Sequence, residues 1–226
     1  MGGMMGHAAM AVTAVRYLRS AGAAEPTAHG VAATGQEALV PLPPPALRAV
    51  REDERPPPDP AEFRRVLGHF ASGVTVVTAP AAEPGAGPAG FACQSFTSLS
   101  LEPPLVAFMV ARTSTTWPRI ARAGVFCVNV LGAGQRELCR AFAVSGARCA
   151  DKFAGVAYVP SAATGSPLLD GVPAWIDSTI HAVHTGGDHL VVVGRVEALG
   201  TDEAATRPGP LLFHRGSFGT FTPLQG

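Results

Sequence analysis

The sequence predicts a mainly β fold, a barrel or a sandwich with a few helices added. Short β-branched and apolar runs recur between Gly- and Pro-rich turns, which is typical of antiparallel sheets. Two of the longer runs flank Gly186-Gly187-Asp188, which indicates a β-hairpin. Strand-like and helix-like runs do not alternate regularly enough for a doubly wound parallel sheet. No GxGxxG motif stands between a predicted strand and a predicted helix, and no P-loop is present, so a Rossmann nucleotide site is unsupported.

Composition argues against several classes of function. The chain has 226 residues with 17 basic and 17 acidic side chains, so its formal net charge is zero. A nucleic-acid partner is not expected, because binding to phosphate backbones usually requires a basic excess. No apolar run reaches the ~18–20 residues that span a bilayer, and no basic segment precedes the Ala-rich stretch near the start. We therefore expect a cytoplasmic protein without a membrane span.

The first 58 residues differ in composition from the rest of the chain. They hold one aromatic residue, Tyr17, and proline-rich runs at 41–45 and 56–58. Such runs build neither a regular helix nor a central strand. We expect a disordered or extended N-terminal extension over residues 1–58 and a folded domain over residues 59–224. The extension is either a docking arm for a partner or a variable appendage, and the general behaviour of chain termini favours the appendage.

The folded domain is predicted to begin with a helix. Asp59 suits the N-cap, Pro60 the first helical position and Glu62 the third, which completes a capping box. Gly73 suits the residue that ends the helix. The predicted apolar face has the spacing i, i+3, i+4, i+7 and consists of Phe63, Val66, Leu67 and Phe70.

The remaining elements are predicted in order along the chain. A Pro/Gly-rich turn over residues 80–88 separates the first two strands. Helices are expected from about Thr116 to Arg122, with Trp117-Pro118 in the first turn, and over residues 135–144. Strands are expected over residues 74–79, 90–96, 105–110, 125–131, 175–185, 189–199 and 211–214.

Common catalytic and metal-binding patterns are weak in this chain. Its four cysteines have no CxxC spacing and are expected to be buried, reduced thiols. His181 and His184, three apart on a strand, point to opposite faces unless a bulge intervenes, so a metal site is not expected. No Ser/His/Asp triad or GxSxG elbow stands out. The pair Asp151-Lys152 is interpreted as a surface pair.

Two polar stretches are the candidates for ligand binding. Residues 91–100, after Gly90, alternate hydroxyl and apolar side chains, which suits either a flat apolar ligand with polar edges or a plain barrel strand. Residues 112–116, Arg-Thr-Ser-Thr-Thr, precede a predicted helix and suit either a phosphate site or a Ser/Thr-rich turn. Residue types alone leave both pairs of interpretations open. His189 beside Asp188 is either a polar turn residue or an imidazole that faces a ligand.

The order of motifs along the chain resembles the flavin reductase family with the FMN-binding split-barrel fold. The resemblance covers about residues 62–221, essentially the whole folded part. Its motifs are FRRVLGHFASGVTVVT at 63–78, GFACQSF at 90–96, SLEPPLV at 100–106, FCVNVL at 126–131, DKFAG at 151–155, GGDH at 186–189 and PLLFHRG at 210–216. Within the family the chain is most similar to reductase components of two-component flavin monooxygenases, and residues 90–96 are especially like the reductase that serves secosteroid hydroxylation.

The resemblance implies a homodimer with flavin held near the subunit interface. It implies flavin contacts at Pro88, Ala89, Gly90, Phe91, Ala92, Gln94, Ser95, Met109, Val110, Ala111, Thr115, Thr116, Ala141 and Phe142, with Thr115 and Thr116 at the phosphate. It implies contacts with the nicotinamide nucleotide at Phe213, His214, Arg215 and Gly216, to which we add His189 as a candidate on the hydride-donor side. The chain departs from the family pattern at two points. In the family the first helix usually lies nearer the start of the chain, and the sequence of the phosphate loop often differs from the Arg-Thr-Ser-Thr-Thr of residues 112–116.

The implied reaction is hydride transfer from NADH or NADPH to FMN or FAD, and the reduced flavin then diffuses to a separate oxygenase. Such chemistry belongs to the two cofactors, so the protein needs no nucleophile or metal. Two alternatives stay open at this point. One is an oxidase that retains its flavin, and the other is a non-enzymatic flavin- or haem-binding split barrel.

Overall fold

A computed structural model describes residues 58–144, 151–206 and 208–224. The extension expected over residues 1–58 lies outside the described residues except for Pro58, and Cys149 lies outside them too. The helices are α1 (Pro60–Leu67), α2 (Trp117–Ala123), α3 (Arg136–Ala143) and α4 (Glu203–Thr206). The strands are β1 (Ser72–Gly73), β2 (Thr75–Ala79), β3 (Ala89–Cys93), β4 (Thr97–Leu101), β5 (Pro104–Ala111), β6 (Val125–Val130), β7 (Tyr158–Pro160), β8 (Pro167–Leu169), β9 (Ala174–Gly186), β10 (His189–Thr201), β11 (Leu211–His214) and β12 (Ser217–Thr220).

A seven-stranded antiparallel sheet dominates the described part of the chain. Its strand order is β3-β2-β6-β9-β10-β5-β4. The long hairpin of β9 and β10 lies at its centre, and Gly186 pairs with His189 across a two-residue turn. Gly187 opens that turn at a φ of 68°, a conformation that glycine adopts at low cost. The predicted mainly β fold and the predicted hairpin are confirmed.

Two smaller sheets accompany the large one. Strand β11 pairs with β1 and β12, and β7 pairs with β8. The β11–β12 hairpin turns at Arg215-Gly216, because His214 pairs with Ser217. This hairpin brings the end of the chain beside α1, where the Arg215 N–H donates to the Gly68 carbonyl at 2.9 Å.

The large sheet curls so that its edge strand β3 approaches β5. The hydroxyl of Ser95, just after β3, accepts a hydrogen bond from the Met109 N–H at 2.9 Å. The same hydroxyl donates to the Met109 carbonyl at 3.0 Å. The rings of Phe91 and Phe108 approach to 5.9 Å between centroids inside the curl. One hydroxyl thus joins two strands that the strand order keeps apart.

Two apolar clusters form the core. The first surrounds Phe108, whose ring lies 5.1 Å from that of Phe126 and 6.3 Å from that of Trp117. The second surrounds Phe142, whose ring meets that of Phe153 edge-on at 5.0 Å. Phe142 is fully buried, so the second cluster fixes helix α3 against the sheet.

A buried amide connects the sheet to β8. The Asn129 Nδ2 donates to the Val76 carbonyl at 3.2 Å and to the Thr78 hydroxyl at 3.1 Å. Its Oδ1 accepts a hydrogen bond from the Leu169 N–H at 2.8 Å. Because every polar atom of this fully buried side chain has a partner, the amide avoids the cost of an unsatisfied group.

Two local predictions differ from the structure. The first helix has the predicted N-cap, since the Asp59 carboxylate accepts hydrogen bonds from the N–H groups of Ala61 and Glu62. It ends at Leu67 with Gly68 as its C-cap, so the predicted end at Gly73 is wrong. Gly73 lies instead in β1, because Ser72 and Gly73 pair with β11. The predicted apolar face of α1 is at least half exposed at Phe63, Val66, Leu67 and Phe70.

The strand predicted over residues 90–96 ends at Cys93 in the structure. The polar residues that follow form a separate strand, β4, which pairs with β5 through a bulge near Ser98 and Ser100. Of the two interpretations left open for residues 91–100, the barrel strand therefore holds for residues 97–100, which lie in β4. In the described part of the chain, no helix is long and apolar enough to cross a membrane.

Candidate functional site

A cleft of about 750 Å³ opens where the curled sheet, helix α3 and the β11–β12 hairpin meet. Its lining combines apolar rings, small side chains and hydroxyls. The lining residues are Val74, Phe91, Ala92, Cys93, Gln94, Ser95, Met109, Val110, Ala111, Thr113, Ser114, Thr115, Thr116, Cys139, Phe142, Ala143, Val144, Lys152, His189, Phe213 and Phe218.

One wall of the cleft is apolar and partly exposed. Met109 points outward from β5 and keeps 41% of its surface exposed. Phe213 and Phe218 face each other across the terminal hairpin, with ring centroids 5.3 Å apart. Exposed thioether and aromatic surfaces that line a concave site suit a flat apolar ligand.

In the hydroxyl-rich segment before α2, the Ser114 side chain stabilises the start of the helix, whereas those of Thr115 and Thr116 do not. The Ser114 hydroxyl accepts a hydrogen bond from the Trp117 N–H at 3.2 Å and so serves the start of the helix. The hydroxyls of Thr115 and Thr116 make no hydrogen bond with the described residues, although both line the cleft. Two hydroxyls are thus left for a ligand at this end of the cleft.

Lys152 lies in the cleft wall, and its prediction as a surface residue is wrong. Its ammonium donates to the Phe142 carbonyl at 2.9 Å and to the Gly90 carbonyl at 3.3 Å. Asp151 turns the chain at this point, since its carboxylate accepts a hydrogen bond from the Phe153 N–H at 2.8 Å. Among the described lining residues, Lys152 is the only lysine or arginine.

Gly90 lies beneath the cleft wall, under the ring of Phe142. A β-carbon at Gly90 would lie 2.7 Å from Phe142 Cε1, 3.0 Å from Phe142 Cδ1 and 3.2 Å from the Val77 carbonyl oxygen. These distances are shorter than ordinary van der Waals contacts. The absence of a side chain at position 90 therefore lets a fully buried ring reach the cleft.

His189 faces the cleft from the start of β10. Its Nδ1 lies 2.7 Å from the Asp188 carboxylate and donates to it, which leaves Nε2 for a ligand. The hydrogen bond from His189 lowers the pKa of Asp188 below its ordinary value, and the charges of His189 and Arg64 lower it further. The carboxylate is therefore ionised at neutral pH and orients the imidazole.

The buried cysteines are poor nucleophiles. Burial raises the pKa of the Cys127 thiol to about 12, helped by the nearby Asp177 carboxylate. Burial also raises the pKa of Cys93 and of Cys139, the two that line the cleft. These thiols stay protonated at neutral pH, so they do not supply thiolate chemistry.

The predicted histidine pair is displaced from regular strand geometry. Ile180 pairs with Gly194 and Ala182 with Val193, so His181 occupies a β-bulge. His181 and His184 are both exposed. Across the described ranges, no group of three or more His, Cys, Asp or Glu side chains is arranged to hold a metal ion.

The structure brings together most, but not all, of the residues predicted to bind cofactors. Those that line the cleft are Phe91, Ala92, Gln94, Ser95, Met109, Val110, Ala111, Thr115, Thr116, Phe142, His189 and Phe213. Those that do not line it are Pro88, Ala89, Gly90, Ala141, His214, Arg215 and Gly216. Arg215 and Gly216 border a second, smaller depression beside α1.

Several lining residues were not predicted. Thr113 and Ser114 lie within the candidate phosphate stretch 112–116 without having been named as contacts, and Lys152 lies within the DKFAG motif, so all three had a local signal. Phe218 follows the PLLFHRG motif and faces Phe213 only because the chain forms a hairpin there. The remaining unpredicted lining residues carry no polar signal in the sequence and are Val74, Cys93, Cys139, Ala143 and Val144.

Comparison with known proteins gives concordant matches. The model of the family described as flavin reductase like domain matches residues 67–222. The reductase subunit of a flavin-dependent monooxygenase from Mycobacterium tuberculosis is 47% identical over 165 residues, covering 73% of this chain and 84% of that protein. A flavin reductase from Pseudomonas putida is 46% identical over 166 residues, covering 74% of this chain and 92% of that protein.

Among solved structures, an NADH:FAD oxidoreductase from Streptomyces globisporus, in complex with NAD and FAD fragments, is similar in sequence and in fold. It has a TM-score of 0.65 and 37% identity, covering 73% of this chain and 94% of the other.

Proposed function

The chain belongs to the flavin reductase-like domain family, and on that premise we propose that it is an NAD(P)H-dependent flavin reductase that supplies reduced flavin to a partner monooxygenase. The observation that carries the proposal is the cleft of about 750 Å³, which combines a partly exposed apolar wall with two hydroxyls that have no hydrogen-bond partner among the described residues. Its cofactors are a flavin, FMN or FAD, and a nicotinamide nucleotide, NADH or NADPH. The reductase domain occupies residues 59–224.

The residues of the cleft fit a flavin nucleotide. A flavin presents a flat ring, a polar edge and a phosphate. Phe91 and Met109 offer apolar surface for the ring. Strand β3 is an edge of the large sheet, so its backbone amides at Ala92 and Cys93 have one side without a strand neighbour among the described residues. Such amides are suited to stabilise charge that develops at the polar edge of the ring.

The phosphate is assigned to Thr115 and Thr116. Both hydroxyls line the cleft and lack a partner among the described residues, whereas Ser114 is engaged at the start of α2. Lys152 adds the positive charge of the cleft, although its ammonium also ties α3 to β3. A hydrogen bond from a hydroxyl to an ionised phosphate is stronger than one between neutral groups.

The nicotinamide is assigned to the side of the cleft bounded by His189 and Phe213. The Asp188 carboxylate fixes the imidazole orientation through the Nδ1 contact of 2.7 Å, so Nε2 is directed away from that contact. Phe213 supplies apolar surface against which a ring can pack. His214, Arg215 and Gly216 continue from Phe213 out of the cleft toward the rest of the nucleotide.

When both cofactors are bound, they supply the redox chemistry themselves, as hydride passes from the dihydronicotinamide to the flavin. The protein binds the two rings, orients them and excludes water. Holding two reactants in one cleft replaces a bimolecular encounter with a positioned contact. Because the cofactors supply the redox chemistry, the protein needs no activated nucleophile. The protonated thiols of Cys93 and Cys139, the two cysteines among the described lining residues, agree with this.

We further propose that the protein acts as a homodimer with a split-barrel core. Support comes from α1, whose Phe63, Val66 and Leu67 side chains remain about half exposed. Exposed apolar patches of this kind commonly mark protein interfaces. Sedimentation velocity tests this proposal, which expects a species of twice the chain mass of 23.1 kDa. A monomer at micromolar concentration would refute it.

Steady-state oxidation of NADH and NADPH, followed by absorbance with and without added FMN or FAD, tests the activity. We expect oxidation that depends on the concentration of free flavin. Oxidation that is independent of added flavin in a protein that stays yellow through purification would favour the flavin-retaining alternative. Absence of oxidation with every pair of cofactors would refute the proposed function.

A further inference from the structure

An exposed arginine on α2 contacts the loop that leads into β3. One guanidinium nitrogen of Arg119, Nη2, donates to the Gly87 carbonyl at 2.7 Å and to the Pro88 carbonyl at 3.0 Å. Arg119 forms no ion pair with a carboxylate of the described residues. Its guanidinium is therefore engaged by backbone carbonyls and not by a surface salt bridge.

The loop, residues 80–88, has few other attachments. Three of its residues are prolines, which supply no N–H group, and residues 81–87 are all exposed. The Ala86 N–H donates to the Glu83 carbonyl at 3.1 Å, but this hydrogen bond stays within the loop. Residues 81–87 make no other hydrogen bond to the described part of the chain than the one from Arg119 to Gly87. Arg119 therefore fixes the end of the loop that precedes β3.

The same contact places the loop beside the hydroxyls of Thr115 and Thr116. Arg119 lies three residues after Thr116, and its N–H donates to the Thr116 carbonyl at 3.1 Å. Residues three apart on a helix share a face, and a helical side chain leans over the preceding turn toward the helix N-terminus. The guanidinium and the two loop carbonyls therefore lie alongside the turn that carries these threonines.

Helix α2 is held in place without Arg119, whereas the loop is not. Three side chains of the helix are buried, those of Trp117, Ile120 and Ala121, and they anchor it to the core. Loss of the Arg119 contact is therefore expected to release the loop and to leave the helix where it is. A released loop admits water to this end of the cleft, and water weakens hydrogen bonds from hydroxyls to an ionised phosphate.

We propose that Arg119 is a positioning residue for the flavin phosphate, which holds the loop against α2 and so sets the preference of the protein for FMN over riboflavin. The inference rests on the proposed function and deepens it, because it takes Thr115 and Thr116 as the phosphate contacts. Arg119, Gly87 and Pro88 do not line the cleft. Arg119 therefore acts on the flavin through the loop and not by touching it.

The test measures dissociation constants of the full-length protein for FMN and for riboflavin, which lacks the phosphate, by fluorescence titration. Arg119→Gln is compared with Arg122→Gln, which removes the same charge from an exposed position on α2 outside the cleft. We expect Kd for FMN to rise about fivefold in Arg119→Gln, since residues that act on a ligand without touching it change its affinity by about 2- to 30-fold. Kd for riboflavin is expected to change less than about twofold. Arg122→Gln is expected to leave both constants unchanged.

The conservative variant Arg119→Lys tests whether the contact itself is required. An ammonium group can donate to two carbonyls at once, as Lys152 does to those of Phe142 and Gly90. We therefore expect Arg119→Lys to keep Kd for FMN within about twofold of the wild-type value. A loss in Arg119→Lys as large as that in Arg119→Gln would count against a role through the loop carbonyls.

The other outcomes are equally decisive. An unchanged Kd for FMN in Arg119→Gln, or an equal loss for FMN and riboflavin, would overturn the inference. An equal rise of Kd for FMN in Arg122→Gln would assign the effect to the charge of α2 and would overturn it too. If the wild-type protein binds FMN no better than riboflavin, the phosphate assignment fails together with the role of Arg119. Failure of the proposed function is a separate result, in which the wild-type protein reduces flavin with neither NADH nor NADPH.

Discussion

Replacement of Gly90 by alanine is expected to act through Phe142. The added β-carbon would lie 2.7 Å from Phe142 Cε1 and 3.0 Å from Cδ1, where ordinary contacts are 3.4–4 Å. The ring must therefore retreat by roughly 0.7 Å or more, and its edge-on contact with Phe153, 5.0 Å between centroids, limits that movement on one side. On the other side, the Val77 carbonyl oxygen at 3.2 Å limits movement of the strand.

Overpacking of this kind costs about 1–3 kcal/mol. A loss of about 2 kcal/mol shifts a urea midpoint by about 1 M when the slope is about 2 kcal/mol/M. KM for flavin is expected to rise as well, because Phe142 lines the cleft and the Gly90 carbonyl accepts a hydrogen bond from Lys152. The matched control is Gly87→Ala, where a β-carbon meets nothing within 4 Å, and its stability is expected to stay within about 0.5 kcal/mol.

Urea unfolding followed by far-ultraviolet circular dichroism measures the midpoints, and flavin titration of initial rates measures KM. The double variant Gly90→Ala/Phe142→Leu completes the test, because leucine removes the ring atoms that meet the new methyl group. We expect the double variant to lose less than the sum of the two single variants. Additive losses, or a Gly90→Ala protein as stable as wild type, would refute the proposed contact.

Three further predictions concern the site and the buried core. The double variant Thr115→Ala/Thr116→Ala should weaken FMN binding by about 100-fold or more, since hydrogen bonds to a charged group contribute about 1.5–3 kcal/mol each and two are lost. An unchanged affinity by fluorescence titration would reject the phosphate assignment. Asp188→Asn should lower kcat/KM for NADH several-fold with KM for flavin unchanged, because the carboxylate orients His189. Since the pKa of Asp188 is below its ordinary value of 3.8, this contact should persist in the wild type down to about that pH and be lost only on further acidification, which an activity profile checks. Cys127, with a pKa of about 12, should escape iodoacetamide at pH 8 in the folded protein and react only after unfolding, as peptide mapping would reveal.

The elements that the sequence predicted well depend on local signals. The N-terminus of α1 follows from Asp59 and its neighbours, and the central hairpin follows from the Gly-Gly-Asp turn. The end of α1 was mispredicted, because the pairing of β1 with β11 decides it and those strands are about 140 residues apart in the chain. The pairing of β1 with β11 therefore outweighed the tendency of a helix to end at a glycine such as Gly73.

In the candidate site too, the residues with a local sequence signal were predicted, and those placed by long-range contacts were not. The polar stretches at 91–100 and 112–116 indicated the cleft, since residues 91–95 and 113–116 within them line it. Lys152 was misjudged because its partners are carbonyl groups 10 and 62 residues away, which no local pattern reveals. Gly90 was predicted as a cofactor contact, whereas its position beneath Phe142 becomes evident only from packing. Long-range contacts thus explain what the sequence left undetermined.

The central claim is that flavin is turned over as a diffusible substrate. Anaerobic mixing of the protein with a large excess of FMN and a larger excess of NADH, followed by the loss of oxidised-flavin absorbance, tests it most directly. The account predicts that many flavins are reduced per protein chain, with one NADH oxidised per flavin. Bleaching that stops at one flavin per chain, or no bleaching at all, would contradict it.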